Sequence, residues 1–302
     1  MLRKRKRITP DVAITRNFDE GQAVQEGLKL INADNLINEQ DVVVITPNWV
    51  NDKKQHEKSG IVVGPQTFQT LIQYVKGRNP KRIVIACGSG GGDTPQVMTN
   101  VGYDKIIQQE GVEFIDLNVG PYMDLPLNYD IFPSTKINQL LNETTVLISF
   151  TQLKHHEEAT MSASIKNMAL SWPPTEIHGT PKKDLGIHTH LHNFIRAMAE
   201  QVPIDLAIVS ANPVMIGTGP TKGTARHTGL VITGTDAVAV DTIGARFLGY
   251  KPQGVNYLFQ CVEKQIGEYD LNKMNLVGLT IQEAERFFSE AVYGDQVIVD
   301  AN

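Results

Sequence analysis

DVVVITP at residues 41–47, PQTFQTLIQYVK at residues 65–76 and RIVIACG at residues 82–88 decide the fold class. The first and last are short runs rich in Val and Ile, each stopped by a turn residue, Pro47 or Gly88. Apolar runs of that length without alternation read as strands buried on both faces. Between them, Phe68, Leu71, Ile72 and Val75 recur at helical spacing behind Pro65, a residue suited to a first helical turn. Strand, helix and strand make a βαβ unit, with parallel strands and a right-handed crossover.

The alternation extends in both directions. Strands are expected over residues 12–15, 112–117, 145–150, 205–210 and 229–234. Helices are expected over 21–33, 187–200, 236–249 and 280–291, the last with Thr280 as N-cap and Glu283 completing a capping box. The expected fold is α/β: a mostly parallel central sheet flanked by helices, with a smaller second α/β lobe. Residues 1–10 form a basic segment, 11–150 a first α/β half and 151–302 a second. No Gly/Ser linker parts the halves, which allows one continuous domain. Residues 120–136, rich in Pro, Asn and Tyr, read as an excursion over the sheet.

Charge narrows the partners. Of 28 basic residues, five are the run Arg3-Lys4-Arg5-Lys6-Arg7; the remaining 23 face 33 acidic ones, a net of −10. An acidic body disfavours nucleic acid as partner. The basic run lacks a following apolar region, so it is not read as a signal peptide but as a solvated start or an anchor to acidic surfaces. No apolar run approaches the length of a membrane span. Cys87 and Cys261 are too few for a disulfide framework, and no iron–sulfur cluster is expected. The expected location is the cytoplasm, a homo-oligomer is compatible with the chain, and the cofactor is left open.

Five segments carry candidate chemistry. Cys87 to Pro95 follows a strand and contains Gly88, Ser89, Gly90, Gly91 and Thr94, an arrangement suited to phosphate or carboxylate. It is neither a Walker loop nor a full dinucleotide fingerprint, because Asp93 stands where the third glycine belongs. The plainer reading is a tight strand-to-helix turn. Lys154-His155-His156-Glu157-Glu158, expected just past a strand, pairs with Lys166-Asn167: Lys154, His156 and Lys166 can bind an anion and move a proton. A charged surface loop is the alternative. His188, His190 and His192 are the metal candidates, against a helix start with solvated histidines. Gly217, Gly219 and Gly223 suit a loop folded closely round a ligand. Asp241, among apolar neighbours, is either a site residue or a satisfied buried carboxylate.

The order of these motifs resembles the DUF362 family, a set of prokaryotic proteins named as a domain of unknown function. The matching residues are Pro47-Asn48; Ser89-Gly90-Gly91 with Thr94; Gly102-Tyr103; Asp116-Leu117-Asn118; Lys154 and His156 with Lys166-Asn167; Met215-x-Gly217-x-Gly219-Pro220-x-x-Gly223; and Gly234-x-Asp236-x-Val238-Ala239-Val240-Asp241 before Gly249-Tyr250. The resemblance implies an α/β fold with a cleft that includes Asn48, and no particular reaction. It also marks departures: Thr46 and Gln152 stand where relatives often carry lysine, Ser210 where they carry aspartate, and Ala86-Cys87 where an acid is common. Many relatives carry an appended ferredoxin-like domain, for which this chain lacks the cysteines.

The function expected is binding of a small anionic metabolite or cofactor in a cleft of Gly-rich loops, with or without turnover. The alternatives are a non-catalytic ligand-binding, metal-binding or maturation protein, and an interaction scaffold.

Overall fold

A computed structural model describes residues 3–49 and 59–294. The chain runs β1 (Asp11–Arg16), α1 (Glu20–Leu30), β2 (Val42–Pro47), α2 (Pro65–Lys76), β3 (Arg82–Cys87), α3 (Thr94–Asn100), α4 (Tyr103–Glu110) and β4 (Glu113–Asp116). It continues through β5 (Tyr122–Pro126), β6 (Ser134–Asn138), α5 (Leu140–Glu143), β7 (Val146–His156), β8 (Thr160–Ser162), α6 (Ser164–Ser171), α7 (Thr175–His178) and α8 (Leu191–Gln201). Then follow β9 (Leu206–Ile216), β10 (Thr224–Arg226), β11 (Leu230–Gly234), α9 (Ala237–Phe247), α10 (Asn256–Glu263), β12 (Asn275–Gly278) and α11 (Ile281–Tyr293).

The fold is α/β, with a mostly parallel main sheet in the order β12-β1-β11-β9-β7-β2-β3-β4. Five pairings are parallel: β1–β12, β7–β9, β2–β7, β2–β3 and β3–β4. β11 runs antiparallel to both neighbours, and the short β8 and β10 pair antiparallel with the ends of β7 and β9. Strand residues alternate between two cores, as a period of two requires. Val44, Val84, Leu147 and Val209 pack with α6, α8 and α9, while Val43, Ile45, Ile85 and Ile148 pack with α1 and α2. The excursion at 120–136 is the hairpin β5–β6, a separate two-stranded antiparallel sheet. The capping box at Thr280 and Glu283 is formed.

Three features differ from expectation. β7 and β9 are eleven residues each and run well past Phe150 and Ser210. Lys154 and His156 are therefore strand residues, held in register by β8 and β9, not loop residues. The helix expected from residue 187 begins at Leu191, because His190 takes a non-helical conformation. The basic run is not a solvated start: it is clasped across the amino ends of the strands. Arg3 and the Lys6 amide both bind the Asp205 carboxylate, Lys6 Nζ lies 2.5 Å from Asp41, Arg5 3.0 Å from Asp236 and Arg7 3.2 Å from Asp11. Those ion pairs commit four of its five charges within the molecule. Among the described residues, no helix is long and apolar enough to cross a membrane.

Candidate functional site

In a sheet of parallel strands the carboxyl ends share one edge, and ligands bind in the crevice beyond it. Here β2 and β3 end side by side, and β7, the neighbour of β2, runs on past them. Asn48 and Trp49 follow β2, Gly88 to Gly91 follow β3, and Lys154 and His156 occupy the end of β7. With Lys166 and Asn167 of α6, and Lys182 and Lys183 from the turn after α7, they line a cleft of about 330 Å³. That size suits a small metabolite.

The glycine loop is shaped by its neighbours. A side chain at Gly88 would sit 2.6 Å from Ser171 O and 2.8 Å from Asn118 Oδ1, so only glycine fits beside the end of α6. Thr94 is buried and does not line the cleft; its Oγ1 accepts from Ser89 N at 3.0 Å and from Asn118 Nδ2 at 3.1 Å, closing the loop from behind. Cys87 lines the cleft, but burial pushes its thiol far up, so it is a small apolar wall.

Three lysines stand here without a carboxylate salt bridge among the described residues. Lys154, 1 % exposed, donates to Asn48 Oδ1 at 2.8 Å and to Ile61 O at 3.1 Å. Burial, and then the charge of Lys166, push it down to about 7. Lys182, also 1 % exposed, donates to Gly88 O and Leu170 O at 2.8 Å and to Ser171 O at 3.4 Å, pinning the glycine loop to the negative end of α6. Burial takes it to about 7 as well. Lys166 is half-buried in the first turn of α6 and is pushed by burial to about 8, with Glu158 opposing.

His156 accepts Glu158 N and Ala159 N at Nδ1, 3.1 and 3.2 Å away, which places its proton on Nε2. Burial first, then Lys166 and Lys154, lower it to about 2. A titration of this ring near its ordinary value is therefore not expected: it is a neutral donor across the physiological range. Asn167 fastens α6 to the sheet through Thr46 O at 3.0 Å and Ser149 Oγ at 3.1 Å.

Gly217 and Gly219 do not line the cleft, although Pro220 of the same loop does. They brace β7 instead: Gly217 N donates to His155 Nδ1 at 3.0 Å, and Glu157 N donates to Gly219 O at 3.1 Å. A Cβ at Gly219 would fall 1.8 Å from His155 O. Gly219→Ala should therefore displace the loop and cost roughly 1–3 kcal/mol; a urea midpoint equal to that of wild type would contradict this close approach.

Asp241 lies outside the cleft and fully buried. Its carboxylate accepts from Ser164 N at 2.8 Å, Ser164 Oγ at 2.5 Å and Ile165 N at 3.0 Å, capping α6 from α9. The three histidines diverge. His188 meets Glu158 Oε2 at 2.8 Å at the cleft wall, His190 meets Asp130, and His192 accepts from Tyr257 N at 3.2 Å. Among the described residues, no three His, Cys, Asp or Glu side chains gather to hold a metal.

Two cleft residues escape a reading of the sequence. Lys182 sits in a Pro-Lys-Lys turn that looks solvated, and no local signal marks it. Trp49 directly follows the Pro47-Asn48 motif, and extending that motif by one residue would have included it. Its indole Nε1 is buried without a hydrogen-bond partner among the described residues. Gln152 and Ser210 are cross-strand partners on β7 and β9, and neither lines the cleft.

A family model described as "Domain of unknown function (DUF362)" matches residues 43–246, a span that contains every cleft residue. A thylakoid-associated protein of Synechocystis sp. is 22% identical over 222 residues, covering 72% of this chain and 66% of that protein. The match thus spans just under two thirds of the relative's length. Among solved structures, the lactate racemase apoprotein of Thermoanaerobacterium thermosaccharolyticum is similar at a TM-score of 0.43 and 14% identity, over 82% of this chain and 58% of that one.

Proposed function

The chain belongs to the DUF362 family of domains of unknown function, and from that premise we propose that its cleft binds a small anionic metabolite or cofactor. The observation that carries this reading is the gathering of Lys154, Lys166 and Lys182 in one crevice with no carboxylate paired to any of them among the described residues. Glu157 and Glu158 also line the crevice, and Glu158 acts on Lys166 from beyond ion-pair distance, but a buried cation without a paired counter-charge is costly and an anion supplies one. The indole N–H of Trp49, which has no partner among the described residues, offers a further donor for an oxygen acceptor. Lys154 and Lys166 supply charge, His156 supplies a neutral Nε2–H, and the loop 88–91 lets the ligand approach the backbone. Catalysis on the bound anion is compatible with these groups. Two buried free thiols agree with a cytoplasmic location as part of the same proposal.

The test is a thermal-shift screen with inorganic phosphate, acetate, glycolate and succinate, followed by calorimetry on whichever anions bind. A charge-assisted hydrogen bond contributes about 1.5–3 kcal/mol, so Lys154→Met should weaken binding roughly tenfold or more. The pH dependence has a definite sign. Lys154 and Lys166, at about 7 and about 8, become charged as pH falls. Affinity should therefore rise from about pH 9 to about pH 6, and binding should take up protons, visible as a buffer-dependent heat. No stabilisation by any of the four anions, or equal affinity in the Lys154 variant, would sink the reading.

A further inference from the structure

We propose that Lys166 is a nucleophile that forms an imine with a small carbonyl compound carrying an anionic group, such as a 2-oxo acid; this rests on the anion-binding reading of the cleft. The cleft lysines differ in what their nitrogens already do. All three donor positions of Lys182 are taken by carbonyl oxygens, and Lys154 is tied to Asn48 and Ile61. Lys166 makes no hydrogen bond or ion pair among the described residues, and it lines the cleft.

Its surroundings favour the free amine. It lies in the first turn of α6, where the helix dipole opposes a cation. Lys154 is near enough that the Lys166 charge acts on it. A lysine both desolvated and close to a second cationic group is the recurring means of making an amine nucleophilic near neutral pH. Burial holds Lys166 at about 8, so a sizeable fraction is free base.

The neighbours suit the rest of the step. Lys154 attracts the carboxylate of the ligand, and the Nε2–H of His156 can polarise the carbonyl oxygen as a neutral donor. The Nζ lone pair adds to the carbonyl carbon, and one amine hydrogen passes to the oxygen, giving a carbinolamine. The carbon–oxygen bond then breaks and the carbon–nitrogen double bond forms, so that the oxygen and both amine hydrogens leave as water. No oxidant or reductant is consumed.

The experiment treats the full chain with glyoxylate or 2-oxobutyrate and sodium cyanoborohydride, followed by intact mass and peptide mapping. Calorimetry with glycolate and 2-hydroxybutyrate, which have no carbonyl to attack, runs alongside. Lys166 should be alkylated once, roughly tenfold or more faster than the exposed lysines, because more of it is unprotonated. Glycolate should slow the trapping. Lys166→Arg, checked by circular dichroism to be folded, should abolish the adduct. Glycolate binding with no preferred adduct, or with adducts spread evenly over surface lysines, would overturn the imine and leave the anion reading standing. Failure of all four compounds to bind, react or protect would overturn both.

Discussion

Asp205→Ala should destabilise the protein by about 3–5 kcal/mol, the range found when one member of a buried ion pair is removed. Asp205 is fully buried at the start of β9. It accepts from Leu147 N at 2.7 Å and Lys6 N at 2.8 Å, and it carries the ion pair with Arg3. Alanine leaves the Leu147 and Lys6 amides without acceptors and the Arg3 guanidinium without a counter-charge. Arg3 can swing toward solvent, which pulls the cost toward the lower end; the Leu147 amide, in mid-sheet, cannot. Urea unfolding of Asp205→Ala, Arg3→Met and the double variant measures the coupling between them. The double variant should be little worse than the worse single one. Fully additive losses would mean that the clasp at the amino ends of β7 and β9 holds nothing together.

Asp241→Ala should cost about 3 kcal/mol or more, since two buried amides and one hydroxyl lose their acceptor at about 1–3 kcal/mol each, offset in part by relief of the carboxylate's own burial. Its donors all sit at the amino end of α6, whose own N-cap residue, Ala163, has no capping side chain. The damage should therefore reach the cleft, because α6 carries Lys166 and Asn167. Ser164→Ala, which keeps both amide bonds, should cost only about 1 kcal/mol. Calorimetric unfolding of the two variants, with anion binding measured on each, is the check. Equal stability of Asp241→Ala and wild type would show that the helix start is held by other means.

The alternation of Val/Ile runs with amphipathic stretches was enough to read the α/β fold, because strands such as Val42–Pro47 are buried on both faces and say so in composition. The far ends of β7 and β9 were not legible. Gln152, Lys154 and His156 are polar residues in a strand, and their burial depends on Glu20, Asn48 and α6, which lie far away in the chain. Of the candidate residues, Asn48, Gly88 to Gly91, Lys154, His156, Lys166, Asn167 and His188 come together at one cleft, while Thr94, Asp241 and the glycines at 217 and 219 support it from outside. His188 and His190 lie in a turn and His192 in the helix that begins at Leu191, so the three share no face. Lys182 and Lys183 are adjacent and identical in type, yet one is 1 % exposed and the other stands in solvent. What separates them is a left-handed turn at Lys182 and three carbonyls from two other segments. None of these is written in local sequence.

The end of β7 has a thermodynamic side. Lys154 pairs with Ser162 on one flank and with Met215 on the other, so its backbone is woven into three strands before any ligand arrives. Fixing a residue's backbone costs roughly 1–2 kcal/mol in conformational entropy. For Lys154 that loss belongs to folding, not to complex formation. A ligand entering here gives up mainly its own translational and rotational freedom and the water it displaces. Under the anion-binding proposal, affinity at this edge would thus be coupled to the global stability of the sheet, and what disorders β8 or the end of β9 would return that entropy debt to the binding step.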